Sequence, residues 1–369
     1  MLKKRILFAG ELISSHAQSW MSLFDSYPDI EISGFNIPQS EFPVDLRYPL
    51  YGKAARWGYF KNKRRDLGRY LFDYAVNDFK PQIIHTFGAF PTAEYLLDRL
   101  ETRSPKVKWV AQVRGGPDVY INRFDEHKQS ILKRIMKSCD LYIADNEKNY
   151  EIARELGIDP RKIYPHGIVP GTGGVDLKKF ADAKTPSQSQ RQVVWTKAYE
   201  WFESKGVCVL EAIRLAFDEL KDAKFIFIAT NPELRTWVKL LPEKIQRQII
   251  IHDRIPREDL LKLMKCSRVV MAPSLLEGIP NSLYESMAAR SVPLFSPLET
   301  YRHLFEDKKN ILYARNLYPH EISNALLTAF GSDELADEIA ENNLDLIQKI
   351  ANRDIIAQNV VSAYREMAL

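Results

Sequence analysis

The sequence predicts an α/β protein built as two doubly wound parallel sheets. Three observations carry this expectation. Short apolar runs rich in β-branched and aromatic residues alternate with helix-period segments along the chain. At 369 residues the chain exceeds what one hydrophobic core usually organises. A polar stretch containing Pro and Ser, Ala181 to Gln192, separates two series of such runs. The domains are therefore expected at 1–180 and 193–351, joined by a linker at 181–192, with 352–369 completing the first domain.

The first series reads RILFAG, IEISGF, IIHTFG, VKWVAQV and LYIAD, and the second QVVWT, KFIFIAT, QIIIHD, RVVMAP and SVPLFS. Apolar runs of this kind, separated by amphipathic stretches, predict parallel strands with crossover helices. Ligands of such sheets gather at the carboxyl ends of the strands, so a cleft lined by both sheets is the expected site. The final segment, RDIIAQNVVSAYREM, has apolar residues at Ile355, Ile356, Val360, Tyr364 and Met367 and predicts an amphipathic helix that docks on a core.

Composition excludes several classes. With 45% apolar and 27% charged residues the chain is an ordinary globular protein, and no stretch of about 18 uncharged apolar residues predicts a membrane span. MLKKRILFAGE has a basic head, but Glu11 ends its apolar run, which predicts a buried first strand rather than a secretory signal. Cys139, Cys208 and Cys266 have no CxxC spacing, which argues against a disulfide framework or structural zinc and for a cytoplasmic setting. A net charge of +4 does not predict a nucleic-acid partner. The charge is uneven, however: Lys53 to Arg69 holds seven Lys or Arg against one Asp, interleaved with Trp57, Tyr59 and Phe60. Such a segment is either a solvated helical face or a patch for an anionic membrane, on the inner face of which the protein would sit peripherally. Oligomeric state is not predicted.

The stretch PSLLEGIPNSLYESMAARSVP, Pro273 to Pro293, follows a buried strand and enters a helix. Gly278 permits close approach of backbone to a ligand, and the amides around Asn281 to Tyr284 form a helix N-terminus that favours an anion such as a pyrophosphate. Ser282 to Glu285 also reads as a capping box, which would account for Glu285 alone. Glu277 precedes the helix in apolar surroundings, where a carboxylate suits acceptance of hydrogen bonds from sugar hydroxyls.

Glu277-Gly278-Ile279-Pro280-Asn281-Ser282-Leu283, followed by Glu285, Met287 and Pro293, resembles the signature of the retaining glycosyltransferases of family four, which have the GT-B fold of two Rossmann-like domains. The resemblance implies that Glu277 contacts the donor sugar, Glu285 binds the nucleotide ribose, and the backbone from Gly278 to Leu283 holds the diphosphate. Lys205-Gly206 matches a further pair, and Lys197 stands where the family usually has Arg, a point charge in place of a bidentate fork. Gly174, Val175 and Asp176 match a turn that closes the first domain. In that domain Gly10 remains of a glycine-rich loop, His85 ends a strand where a His is common, and Arg114, with Asp118 nearby, replaces a His close to the reaction centre. Arg is no base at neutral pH, so phosphate binding or acceptor orientation is its implied role.

The implied activity is retaining, metal-independent transfer of a sugar from a nucleotide diphosphate sugar to a saccharide or lipid-linked acceptor, in polysaccharide or glycolipid synthesis. No cofactor is implied, and no Asp-x-Asp occurs to bridge a metal to a diphosphate. The alternatives are a nucleotide-sugar epimerase of similar architecture and a non-catalytic nucleotide-sugar-binding protein.

Overall fold

The computed structural model describes residues 3–37 and 67–367. Lys53 to Asp66, most of the basic aromatic segment, lies outside the described residues. The chain divides into two compact units, Met1–Gly173 with Arg353–Leu369, and Gly174–Asn352.

In the first unit β1 (Lys4–Gly10), α1 (Ser15–Met21), β2 (Ile30–Asn36), α2 (Leu67–Phe79), β3 (Ile83–Phe87), α3 (Glu94–Glu101), β4 (Lys108–Val113), α4 (Glu126–Ser138), β5 (Leu141–Ala144) and α5 (Glu147–Glu155) follow in order. The five strands are ordered β2-β1-β3-β4-β5, all parallel, with Ile6 opposite Ile83 and Ala9 opposite Thr86. Successive side chains of a strand point to opposite faces. Leu7 and Ala9 thus join a core with Phe72, Leu96 and Leu132, while Ile6 and Phe8 join another with Trp20, Phe24 and Tyr364. Both faces being covered is what an uninterrupted apolar strand requires.

In the second unit β6 (Gln190–Trp195), α6 (Gly206–Ala216), β7 (Lys224–Ile228), α7 (Pro232–Lys239), α8 (Glu243–Gln246), β8 (Ile249–His252), α9 (Arg257–Lys265), β9 (Ser267–Ala272), α10 (Asn281–Ala288), β10 (Val292–Phe295), β11 (Leu312–Tyr313), α11 (Pro319–Gly331) and α12 (Asp333–Ala351) alternate. The six strands are parallel in the order β11-β10-β9-β6-β7-β8. Val193, Trp195, Val209, Phe225, Met271 and Leu326 meet in its core.

The final helix α13 (Arg353–Met367) belongs to the first unit. Val360, Val361 and Tyr364 are buried there with Phe24, Arg365 pairs with Asp29 at 2.8 Å, and Arg353 bonds the hydroxyl of Ser22 at 2.8 Å. The segment 181–192, expected as a linker, is part of the second unit. Pro186 is buried, Ser187 donates its amide to Asp337 at 2.9 Å, and β6 begins at Gln190. The junction lies earlier, between Gly173 and Gly174. Polar composition misled here because exposed turns that dock on a helix share the residues of free spacers.

Candidate functional site

The order of the second sheet fixes where its loops converge. From β6 the chain moves outward through β7 and β8, then returns to the other side of β6 with β9. Ligands of doubly wound sheets bind outside the carboxyl ends of the strands flanking such a reversal. Trp195 and Met271 are register partners there, so the residues after each emerge side by side.

Lys197 and Glu277 emerge from those two ends and form an ion pair, with side chains 31% and 14% exposed. The lysine that stands where the resembled family usually has Arg and the carboxylate expected to accept sugar hydroxyls thus hold each other. Around them Glu203 is half-buried, and burial together with the nearby Glu277 raises its pKa. Tyr199 and Tyr301 are also raised, first by burial and then by Glu277.

The two loops are tied together. Leu275 donates its amide to the Glu203 carbonyl at 2.7 Å, and Ser204 its hydroxyl to the Pro273 carbonyl at 3.1 Å. Asn316 links three segments, donating to the Pro273 carbonyl at 3.0 Å and accepting the Lys205 amide at 2.8 Å. The Thr300 hydroxyl donates to the Glu277 carbonyl at 2.9 Å. Lys205 precedes α6, and its ammonium lies 3.3 Å from Glu200. A Cβ on Gly206 would come within 2.7 Å of the Tyr199 carbonyl, so only glycine lets the loop fold back this closely.

Glu285 is buried on α10, its side chain 4% exposed, and accepts a hydrogen bond from Arg257 at 2.5 Å. Burial pushes its pKa up, and the Arg257 guanidinium opposes the shift. The expected capping box is absent. Pro280 occupies the cap position and α10 begins at Asn281, which puts Ser282 inside the first turn and Glu285 against α9. Two of the amides expected to hold a diphosphate fall away too: Pro280 has no N–H, and Leu283 donates to the Pro280 carbonyl at 3.0 Å. Ile279 and Leu283 are buried by their side chains, Gly278 is buried, and Asn281 and Ser282 are partly exposed.

The remaining candidates lie in the first unit. His85 does not qualify as a ligand contact: it is fully buried, with Nδ1 bonded to the Tyr364 hydroxyl and Nε2 to Gln112 at 3.0 Å. Burial pushes its pKa down to about 3, so the ring is neutral and ties α13 to the sheet. Gly10 has φ +149°, and a Cβ there would stand 3.0 Å from Phe87; its smallness serves packing between β1 and β3. Arg114 is partly buried, 5.0 Å above the Phe87 ring; burial lowers its pKa against the pull of Asp118, Asp145 and Glu11. Asp118 accepts the amides of Ala89, Phe90 and Arg114 at 2.9, 3.0 and 3.2 Å, which makes it an organiser of the loops after β3 and β4.

Sequence reasoning missed Arg257, Glu200 and Asn316. Arg257 was within reach, because IHDRIPRED places it just past a strand's carboxyl end, but α9 reads as an ordinary exposed helix start.

Residues 190–332 match the family model described as Glycosyl transferases group 1. The chain is 23% identical over 247 residues to N,N'-diacetylbacillosaminyl-diphospho-undecaprenol alpha-1,3-N-acetylgalactosaminyltransferase of Campylobacter jejuni, covering 64% of this chain and 62% of that protein. It is 24% identical over 233 residues to UDP-Gal:alpha-D-GlcNAc-diphosphoundecaprenol alpha-1,3-galactosyltransferase of Escherichia coli, covering 57% and 56%. The matches thus span less than two thirds of each relative. Sucrose-phosphate synthase from Thermosynechococcus elongatus superposes with a TM-score of 0.76 at 14% identity over 99% of both chains, a likeness of fold alone. Two Rossmann-like parallel sheets, the match across the second unit and the EGIPNSLYE loop agree: this chain resembles the group 1 glycosyltransferases of the GT-B fold.

Proposed function

We propose that this protein transfers a sugar from a nucleotide diphosphate sugar to an acceptor hydroxyl in glycolipid or polysaccharide synthesis. The observation that carries the reading is the partly exposed pairing of Lys197 with Glu277 at the strand ends flanking the sheet reversal. An arriving donor separates the pair. The lysine turns to the diphosphate and the carboxylate to the sugar hydroxyls, each exchanging one charged partner for another. Lys205 and the first turn of α10 add positive potential where the leaving diphosphate gains charge. Glu285, held by Arg257, accepts from the ribose.

The reaction breaks the bond between the anomeric carbon and the diphosphate oxygen and forms one to the acceptor oxygen on the same face, with retention. The acceptor proton passes to the departing phosphate oxygen. Cationic side chains and a helix N-terminus take the place of a bridging metal, in keeping with the lack of an Asp-x-Asp in the sequence. The name of the Escherichia coli relative supports a uridine diphosphate sugar as donor, and the names of both relatives support a saccharide on undecaprenyl diphosphate as acceptor. Such an acceptor favours peripheral attachment at the inner face of the membrane. Among the described residues no helix is long and apolar enough to cross one.

The test begins with thermal shift against uridine, guanosine and adenosine diphosphates and their sugars. A ligand at about a hundred times its Kd raises stability by about 2.7 kcal/mol. The binding donor is then incubated with lipid-diphosphate saccharides, with and without EDTA, and the product linkage is read by NMR. Binding followed by an α-linked product from an α-donor, unaffected by EDTA, supports the reading. An isomerised nucleotide sugar formed without acceptor would replace it with epimerisation, and failure of every nucleotide to bind would end it.

A further inference from the structure

The loop from Lys197 to Lys205 carries a feature that donor binding leaves unused. At its tip Trp201 and Phe202 are 57% and 59% exposed, with ring centroids 6.2 Å apart and tilted by 53°. Two large apolar rings in water are unfavourable, and neighbouring exposed aromatics commonly mark binding surfaces. The tip is not a loose end. Trp201 and Ser204 exchange backbone hydrogen bonds at 2.9 and 3.3 Å across a two-residue turn, and the turn is pinned to the loop after β9 by the Leu275 amide and the Ser204 hydroxyl. Leu275, exposed itself, is two residues before Glu277. The rings are therefore held out toward solvent by bonds to the loop that carries Glu277.

Resting on the transferase reading, we propose that Trp201 and Phe202 form a platform on which a pyranose ring of the acceptor stacks. The apolar C–H face of a pyranose carries partial positive charge and suits the negative face of an aromatic ring. Its hydroxyls at the ring edge need acceptors, and Glu200 and Glu203 flank the two aromatics in the sequence and are both partly exposed. The same charges disfavour a membrane surface. The two lysines bounding the loop are already paired with Glu277 and Glu200, so the tip offers no surplus of cations to anionic headgroups. The platform stands beside the Glu277 end of the site and faces solvent, which suits a saccharide arriving separately from the donor.

The experiment is saturation-transfer NMR on the full chain with the methyl α-pyranosides of glucose, galactose, N-acetylglucosamine and N-acetylgalactosamine as probes. At least one is expected to receive saturation on its ring C–H protons. The Trp201→Ala/Phe202→Ala variant is expected to weaken that binding about tenfold, and Trp201→Tyr, which keeps a ring, to retain most of it. Should the double variant melt at a lower temperature, the single variants Trp201→Ala and Phe202→Ala carry the comparison. Saturation of no pyranoside, or saturation unchanged by loss of the rings, overturns the platform. Sedimentation with phosphatidylglycerol vesicles that depends on Trp201 overturns it in favour of lipid. Nucleotide binding measured on the wild type keeps the two ideas apart. A bound nucleotide diphosphate with no pyranoside signal removes the platform alone, whereas no bound nucleotide removes the transferase reading.

Discussion

At the reversal point of the second sheet, β6 and β9 end in a lysine and a glutamate that bind each other while staying partly exposed. The first sheet also reverses, between β1 and β3, and there the strand ends carry Gly10 packed against Phe87. Two carboxylates further along that sheet are spent on architecture: Asp118, after β4, holds three backbone amides, and Asp145, after β5, accepts the Gly115 amide at 2.7 Å. The same topology thus supports two uses of charge. A pair of side chains can exchange partners at little cost, because each partner is replaced by another charge. A carboxylate saturated by backbone amides cannot let go without unravelling the loop it organises.

Removing the exchangeable pair should have the largest effect. Glu277→Gln or Lys197→Met is expected to lower kcat/KM for the donor about 10²–10³-fold while leaving the melting temperature within a few degrees. The double variant should cost far less than the product of the two, because each residue loses its partner in either single variant. Steady-state kinetics on all three proteins checks this. Donor turnover within a few-fold of wild type in Glu277→Gln would remove the strand ends of the second sheet from the chemistry.

The complementary break falls in the first unit. His85→Phe leaves the Tyr364 hydroxyl and the Gln112 side chain without a buried partner, which should cost about 2 kcal/mol in urea unfolding. Turnover per folded molecule is expected to stay as in wild type. The pH dependence sharpens the contrast. Folded His85 protonates only near a pH of about 3, whereas the unfolded residue does so near 6.5, so the unfolded chain binds more protons between those values. Stability from this residue is complete above about 6.5 and falls on acidification toward 3. Asp145, raised to about 6 by burial, contributes with the opposite sign, its share being present at low pH and lost as pH rises through 6. The difference between wild type and His85→Phe isolates the histidine, and a difference that does not shrink on acidification would contradict a neutral buried ring.

The alternation of runs was enough to read both sheets, since an apolar strand followed by an amphipathic helix admits few arrangements. The docking of the last helix was readable from the spacing of Val360 and Tyr364. Glu277 and Lys197 were individually visible as charges at strand ends, but their pairing across 80 positions was not, because it depends on strand order. The capping box read from Ser282 to Glu285 does not form, for a local reason. SLYE satisfies the capping pattern, yet the helix is capped at Pro280, two residues before Ser282, and the Glu285 carboxylate meets Arg257 instead. His85 was ambiguous for the opposite reason: it stands in the middle of β3 rather than at its end, and a histidine in an apolar run looks alike in sequence whether solvent or a C-terminal tyrosine faces it.

The smallest effect is expected at Arg257, and it bears on whether Glu285 belongs with the exchangeable charges or the fixed ones. Burial raises the Glu285 pKa and the guanidinium holds it back. Arg257→Leu removes that restraint, so the carboxyl should take up a proton at a higher pH than in wild type. On the ribose-binding proposal, a protonated carboxyl accepts hydrogen bonds more weakly, so KM for the donor should rise, and rise more steeply as the pH falls, with kcat little changed. Arg257→Lys restores the positive charge and should return the acid limb most of the way. Kinetics from pH 5.5 to 8.5 on the three proteins decides the matter. A uniform rise in KM with no change in the shape of the profile would mean that Arg257 braces α10 mechanically and leaves the ionisation of Glu285 alone.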